Sequence, residues 1–119
     1  MDFDDAYANA AYIPGSEAYP GAWTQSAAVF RAESRCEIDV AYGETARQKV
    51  DFFYPSQPAK GLVVFVHGGY WLRFDKSFWS HLAAGPLSQG WAVAMPSYAL
   101  CPDVSITEIG LQIAEAIAF

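Results

Sequence analysis

Apolar and polar positions change period several times along the chain. Residues 2–9 read as a short helix that Pro14-Gly15-Ser16 ends. Between about 20 and 33, Trp23, Ala27 and Phe30 recur at i, i+4 and i+7, which places them on one face of an amphipathic helix. After Cys36 the period shortens: Glu37-Ile38-Asp39-Val40-Ala41-Tyr42 alternates polar with apolar, as a strand with one wet face does. Gly43-Glu44 signals a turn, and residues 48–54 form a second strand, stopped by Pro55 and Pro58, that pairs with the first as an antiparallel hairpin at a sheet edge. Gly61-Leu62-Val63-Val64-Phe65-Val66 is continuously apolar and rich in β-branched residues, which predicts a central parallel strand covered on both faces.

A crossover helix is predicted from Ser77 to Gln89, carrying Phe78, Leu82 and either Ala83 or Leu87 on one face, with Gly90 at its C-terminus. Residues 91–95 form the next buried strand. Ser105-Ile106-Thr107-Glu108 is a capping-box pattern that opens a helix on which Ile106, Ile109, Ile113 and Ile117 share a face. A hairpin followed by βαβα predicts an α/β architecture with an antiparallel edge on a mainly parallel sheet. The last helix reaches Phe119 without a terminating signal or a following strand, so the fold is expected to continue beyond it.

Composition narrows the class. The 119 residues are 53% hydrophobic and 17% charged, a sequence able to bury a core and unlike a disordered segment. A net charge of −6 argues against a phosphate-tracking nucleic-acid binder and against a polybasic membrane-surface protein. No apolar run approaches the ~20 residues of a membrane span, and the acidic start Met1-Asp2-Phe3-Asp4-Asp5 is unlike a secretory signal. The expected location is therefore the cytoplasm, and the expected partners include neither nucleic acid nor a membrane. Two cysteines, Cys36 and Cys101, and two histidines, His67 and His81, supply neither a disulfide framework nor a zinc-ligand spacing. Neither a metal nor a cofactor is expected.

His67-Gly68-Gly69-Tyr70-Trp71 lies between the apolar strand and the crossover helix. In open α/β sheets the loops leaving the carboxyl ends of strands form the ligand crevice. Consecutive glycines let the backbone turn and expose N–H groups, which serves a tight turn and equally suits an oxygen gaining negative charge.

Val66-His67-Gly68-Gly69-Tyr70-Trp71 after an apolar strand resembles the oxyanion-hole loop of α/β-hydrolases, in the aromatic variant found in kynurenine formamidase (arylformamidase)-like enzymes. Lys49-Val50-Asp51-Phe52-Phe53-Tyr54-Pro55 is similar to that family's second strand. Pro96-Ser97-Tyr98-Ala99-Leu100-Cys101-Pro102 is similar to the segment after its fourth strand, and Ala6-Tyr7-Ala8-Asn9 with Ile13-Pro14 and Trp23 resembles its N-terminal helices. The resemblance covers essentially the whole chain. It implies the N-terminal portion of a single α/β-hydrolase domain, with helices over 1–34 and the sheet with its crossover helices over 35–119.

On the same resemblance Gly69 and Tyr70 are the main-chain N–H donors, Gly68 permits the turn, His67 braces the loop, and Tyr70 and Trp71 wall an acyl or aryl pocket. The pattern Gly-x-Ser-x-Gly is absent from residues 1–119, so the nucleophile, acid and histidine are expected downstream and the 119-residue chain alone is expected to be inactive. Ser97 reads as a loop serine, and His81 has no assigned role. The implied activity is a cofactor-free serine hydrolase acting on a small acyl or formamide substrate, N-formylkynurenine in type. A carboxylesterase of the hormone-sensitive-lipase type is the alternative enzyme, and a truncated, non-catalytic interaction module the alternative from another class. An exposed strand edge and apolar helix face raise the expectation of a homo-oligomer.

Overall fold

A computed structural model describes all of residues 1–119. The alternating stretches form β1 (Cys36–Ala41) and β2 (Lys49–Phe53), paired antiparallel, and the apolar runs form β3 (Leu62–Val64) and β4 (Ala92–Pro96), paired parallel. The order across the sheet is β1-β2-β4-β3, with β2 and β4 antiparallel. The helices are α1 (Phe3–Ala6), α2 (Tyr19–Glu33), α3 (Ala84–Ser88) and α4 (Ile106–Ala118). The predicted hairpin edge, parallel βαβ unit and final helix are all present.

Helix α2 accepts Pro20 in its first turn, where a missing N–H costs nothing. The stripe predicted for it faces inward. Ala27 is fully buried, the Trp23 ring lies 4.8 Å from that of Trp79, and the Phe30 ring lies 5.6 Å from that of Phe53. Phe53, Ala83, Val93 and Met95 make the core beneath it, with Val63, Phe65 and Leu87 packed around them. Arg31 reaches from the end of α2 to the Ser77 carbonyl and the Ser80 hydroxyl, both at 2.7 Å. The helix therefore clamps the segment that follows the glycine loop.

Three expectations need correction. The 2–9 helix is a single turn capped by the Asp2 side chain, followed by a 3-10 helix at Asn9–Tyr12, and its residues are exposed, so packing adds nothing to a short propensity signal. The strand at 61–66 is regular only over Leu62–Val64 and occupies an edge of the sheet, not its centre. Leu62 and Val66 are 52% and 43% exposed; an apolar run signals that a strand prefers cover without saying which element provides it.

The crossover helix at 77–89 is broken into 3-10 helices at Lys76–Phe78 and Ser80–Ala83 and the short α3. Trp79 leaves helical geometry between them, at φ −123° and ψ 3°, and Gly85-Pro86 weakens the remainder. Gly90 takes the left-handed conformation expected of it, at φ 87°. Finally, α4 has the full capping box of Ser105 and Glu108, and its isoleucine face is largely uncovered, as expected. Ile109 is buried and Ile113 half-buried, whereas Ile106 and Ile117 are exposed. The covered face is turned toward Gln112 and Ala116, because α4 is tied down by polar bonds: Gln112 Oε1 accepts from the Ala99 N–H, and Gln48 donates to Glu115, both at 2.8 Å. No helix is long and apolar enough to cross a membrane.

Candidate active site

The loop 67–75 leaves the carboxyl end of β3 beside the carboxyl end of its parallel neighbour β4, which continues into 97–101. Its backbone is unusual. Gly69 lies at φ 122°, and Tyr70, Trp71 and Phe74 lie at 53°, 61° and 70°. L-residues in this region cost on the order of 1–3 kcal/mol each and persist only where surrounding contacts hold them.

The requirement for glycine falls on Gly69, and the assignment of Gly68 as the turn-permitting residue is corrected accordingly. A Cβ at 69 would lie 2.5 Å from the Arg73 carbonyl oxygen and 2.9 Å from Phe74 Cδ2, whereas one at Gly68 would meet nothing within 4 Å. Neither the Gly69 nor the Tyr70 N–H donates to any atom of the chain. Two adjacent, unspent donors on a backbone held in place can receive an oxyanion.

Several bonds hold the loop. The Gly69 carbonyl accepts from the Leu72 N–H at 3.1 Å, and the Trp71 carbonyl from the Cys101 N–H at 2.8 Å. The Phe74 ring is set among Trp23, Phe78 and Trp79 at centroid distances of 6.1, 5.0 and 5.9 Å.

His67 is 3% exposed and stacks on Tyr98 with ring centroids 4.4 Å apart and planes 9° from parallel. The Tyr98 hydroxyl donates to the His67 carbonyl at 2.6 Å. His67 Nδ1 lies 2.7 Å from the Gly68 carbonyl oxygen; since a carbonyl only accepts, Nδ1 carries the proton, and the bare Nε2 is buried without a partner. Burial pushes the His67 pKa below its usual value, and the nearby Arg47 charge acts in the same direction, outweighing the Gly68 bond. The His67 ring is thus held between the Tyr98 ring and the Gly68 carbonyl.

Tyr70 and Trp71 are 57% and 45% exposed. They are not core residues but stand beside the glycines at the surface, where the Tyr70 hydroxyl accepts from Asn9 Nδ2 at 3.2 Å. Ser97 is buried, accepts from the Lys76 N–H at 3.0 Å and hydrogen-bonds to neither histidine, so it has no base to activate it. His81 is half-buried in a 3-10 helix, away from the loop's hydrogen bonds.

Sequence reading missed the polar residues behind the loop. Asp51 on β2 is 1% exposed, and its Oδ1 accepts from Lys76 Nζ at 2.7 Å and from the Asp39 N–H at 2.8 Å. Asp39 reaches the same lysine from a bulge in β1, where it sits at φ 59°. Arg47 donates to the carbonyls of Tyr98 and Phe74. Tyr98 lay within a recognised segment, but nothing local distinguished Arg47 or Lys76 from surface bases.

No protein-family profile matches the chain. It is 40% identical over 73 residues to the kynurenine formamidase of Drosophila melanogaster, an alignment covering 60% of this chain and 24% of that enzyme. Among solved structures, a candidate thioesterase from Silicibacter sp. superposes with a TM-score of 0.94 at 57% identity, over 99% of this chain and 46% of that one. The fold is that of the N-terminal part of an α/β-hydrolase. Esterase B of Lactobacillus rhamnosis gives a TM-score of 0.65 at 25% identity, over 83% of this chain and 36% of its own. The chain is thus similar to kynurenine formamidase-like members of the esterase and lipase group of α/β-hydrolases. It spans about a quarter of the formamidase's length and under half of each solved chain.

Proposed function

We propose that the complete protein is a serine hydrolase of carbon–nitrogen or ester bonds in small acyl substrates, an arylformamidase acting on compounds of the N-formylkynurenine type. The observation that carries this reading is the pair of undonated N–H groups at Gly69 and Tyr70, on a loop whose backbone admits only glycine at 69. Similarity to a kynurenine formamidase supports the substrate class. In this scheme a serine supplied by chain beyond residue 119 attacks the formyl or acyl carbonyl, whose oxygen gains the charge as the tetrahedral intermediate forms. The Gly69 and Tyr70 N–H groups receive that charge, each worth about 2.7–4 kcal/mol in the transition state. Tyr70 and Trp71 present aromatic faces to the acyl or aryl group, and His67 keeps the loop in shape without touching the reacting atoms. No metal or cofactor takes part.

The second reading is ester or thioester hydrolysis, favoured by the likeness to esterase B and to the candidate thioesterase. Turnover of N-formylkynurenine, p-nitrophenyl butyrate and butyryl-CoA by the complete protein separates the readings by their kcat/KM values. A fluorophosphonate should label one serine outside residues 1–119 and abolish turnover. Labelling of Ser97, or turnover that persists after labelling, would overturn the assignment.

A further inference from the structure

We propose that Arg47 is the positioning residue of this loop: its guanidinium fixes both shoulders of the oxyanion hole at once. The proposal rests on the reading of Gly69 and Tyr70 given above. Arg47 is half-buried in the connection between β1 and β2, and the chain's ion pairs join Lys76 to Asp39 and Asp51, leaving Arg47 with no carboxylate within 4.0 Å. Its donors are spent on main chain instead. Nε donates to the Tyr98 carbonyl at 2.7 Å and Nη2 to the Phe74 carbonyl at 2.6 Å.

Each receiver controls one end of the loop. Phe74 closes it, in a left-handed conformation at φ 70°. Tyr98 holds its start, because the phenol donates to the His67 carbonyl at 2.6 Å and the two rings are stacked. A single planar fork therefore fixes the spacing between the end of the loop and the segment that grips its beginning. Tyr70 and Trp71, between these points, sit at φ values that L-residues resist. With one shoulder released, the backbone is free to relax and the Gly69 and Tyr70 donors turn away from their common target.

The guanidinium's shape matters as much as its charge. Lysine offers a compact ammonium on a flexible stem and lacks the fixed fork that serves two carbonyls together. Both Arg47 bonds go to main-chain carbonyls, so they act on the loop's geometry, beside the effect of its charge on His67 and Asp75.

The test compares Arg47→Ala and Arg47→Lys in the complete protein, using a p-nitrophenyl ester. Both variants should lose about 10–100-fold in kcat, the scale of a 1 Å misplacement of catalytic groups. KM should change less than kcat, because the donors act in the transition state. Added guanidinium or ethylguanidinium at millimolar concentration should restore part of the lost kcat in Arg47→Ala and none in Arg47→Lys. A kcat unchanged in Arg47→Ala, or fully preserved by lysine, overturns the proposal.

Amide exchange supplies a readout independent of turnover. In Arg47→Lys the Leu72 and Cys101 N–H groups, which bond to the Gly69 and Trp71 carbonyls, should lose protection while the β4 amides keep theirs. Equal loss throughout, or loss nowhere, sinks the positioning role. A wild-type protein that hydrolyses none of the acyl substrates refutes the functional reading and leaves this exchange test standing.

Discussion

Replacing Gly69 by alanine should damage the rate far more than the fold. The new Cβ would lie 2.5 Å from the Arg73 carbonyl oxygen, a main-chain atom that cannot swing aside as a side chain does. At φ 122° the backbone itself is in a region closed to L-residues, a strain of on the order of 1–3 kcal/mol. Loss of unfolded-state freedom returns about 0.4–1 kcal/mol of that. The net cost to the fold is therefore at most about 2.6 kcal/mol, a Tm lowered by no more than several degrees.

To escape the contact, the peptides on either side of residue 69 must rotate, which carries the Gly69 or Tyr70 N–H off target. Losing one such donor lowers kcat by about 10²–10³. Gly68→Ala is the control for stability, since its Cβ enters open space and its φ lies outside the left-handed range; its Tm should hold or rise slightly. Thermal melts and steady-state kinetics of the complete protein with N-formylkynurenine and a p-nitrophenyl ester measure both quantities. A Gly69→Ala protein with wild-type kcat and Tm would show that the backbone at 69 is free to take another conformation, and the account of the loop would fail.

Other outcomes follow from the groups around the loop. Burial depresses the His67 pKa, so below about pH 6.5 the unfolded chain binds a proton that the folded one resists; stability falls with pH through that window, and His67→Gln should flatten the drop in urea titrations run from pH 7 downward. Lys76→Met leaves Asp51 buried without its cation and should cost about 3–5 kcal/mol, whereas Asp39→Asn, at a side chain 68% exposed, should cost no more than about 1 kcal/mol; equal losses in chemical denaturation would refute that ranking. Ser105→Ala removes one half of the capping box on α4 and should cost about 1 kcal/mol, read by the same denaturation assay.

Legibility in the sequence tracked the distance over which a determinant acts. The Ser105–Glu108 box, Gly90 at a left-handed position and the Trp23–Ala27–Phe30 stripe are each decided within a few residues, and each stands in the structure as read. The break at Trp79 was harder, because Phe78 and Leu82 have helical spacing while Trp79 leaves the helix to pack on Trp23, a partner 56 positions away. The apolar character of residues 61–66 was plain, but whether such a strand is central or marginal depends on its neighbours. For the site, Gly68-Gly69 with its flanks marked the loop, but which glycine the backbone needs depends on where Arg73 and Phe74 return. Arg47 and Lys76 left no trace, and Asp51, though within a recognised strand, showed no sign of its cation, since a buried ion pair or a clamp between distant carbonyls has no local spacing.

The two margins of the sheet are unlike. Along β1 the register shifts between Glu37 and Val40, and the bulged residue Asp39 carries a charge beside that of Glu37. Bulges and charges are what keep a margin from templating another strand. Along β3 there is neither, only Leu62, Val63 and Val64 in regular extended form. Within residues 1–119 the margins are therefore polarised: the hairpin side is insulated, while the side next to the glycine loop keeps a regular, unprotected edge. For a chain emerging from the ribosome, this means the sheet is closed to strangers on one flank as soon as β1 and β2 pair, while the β3 flank, beside the glycine loop, stays open until further structure covers it.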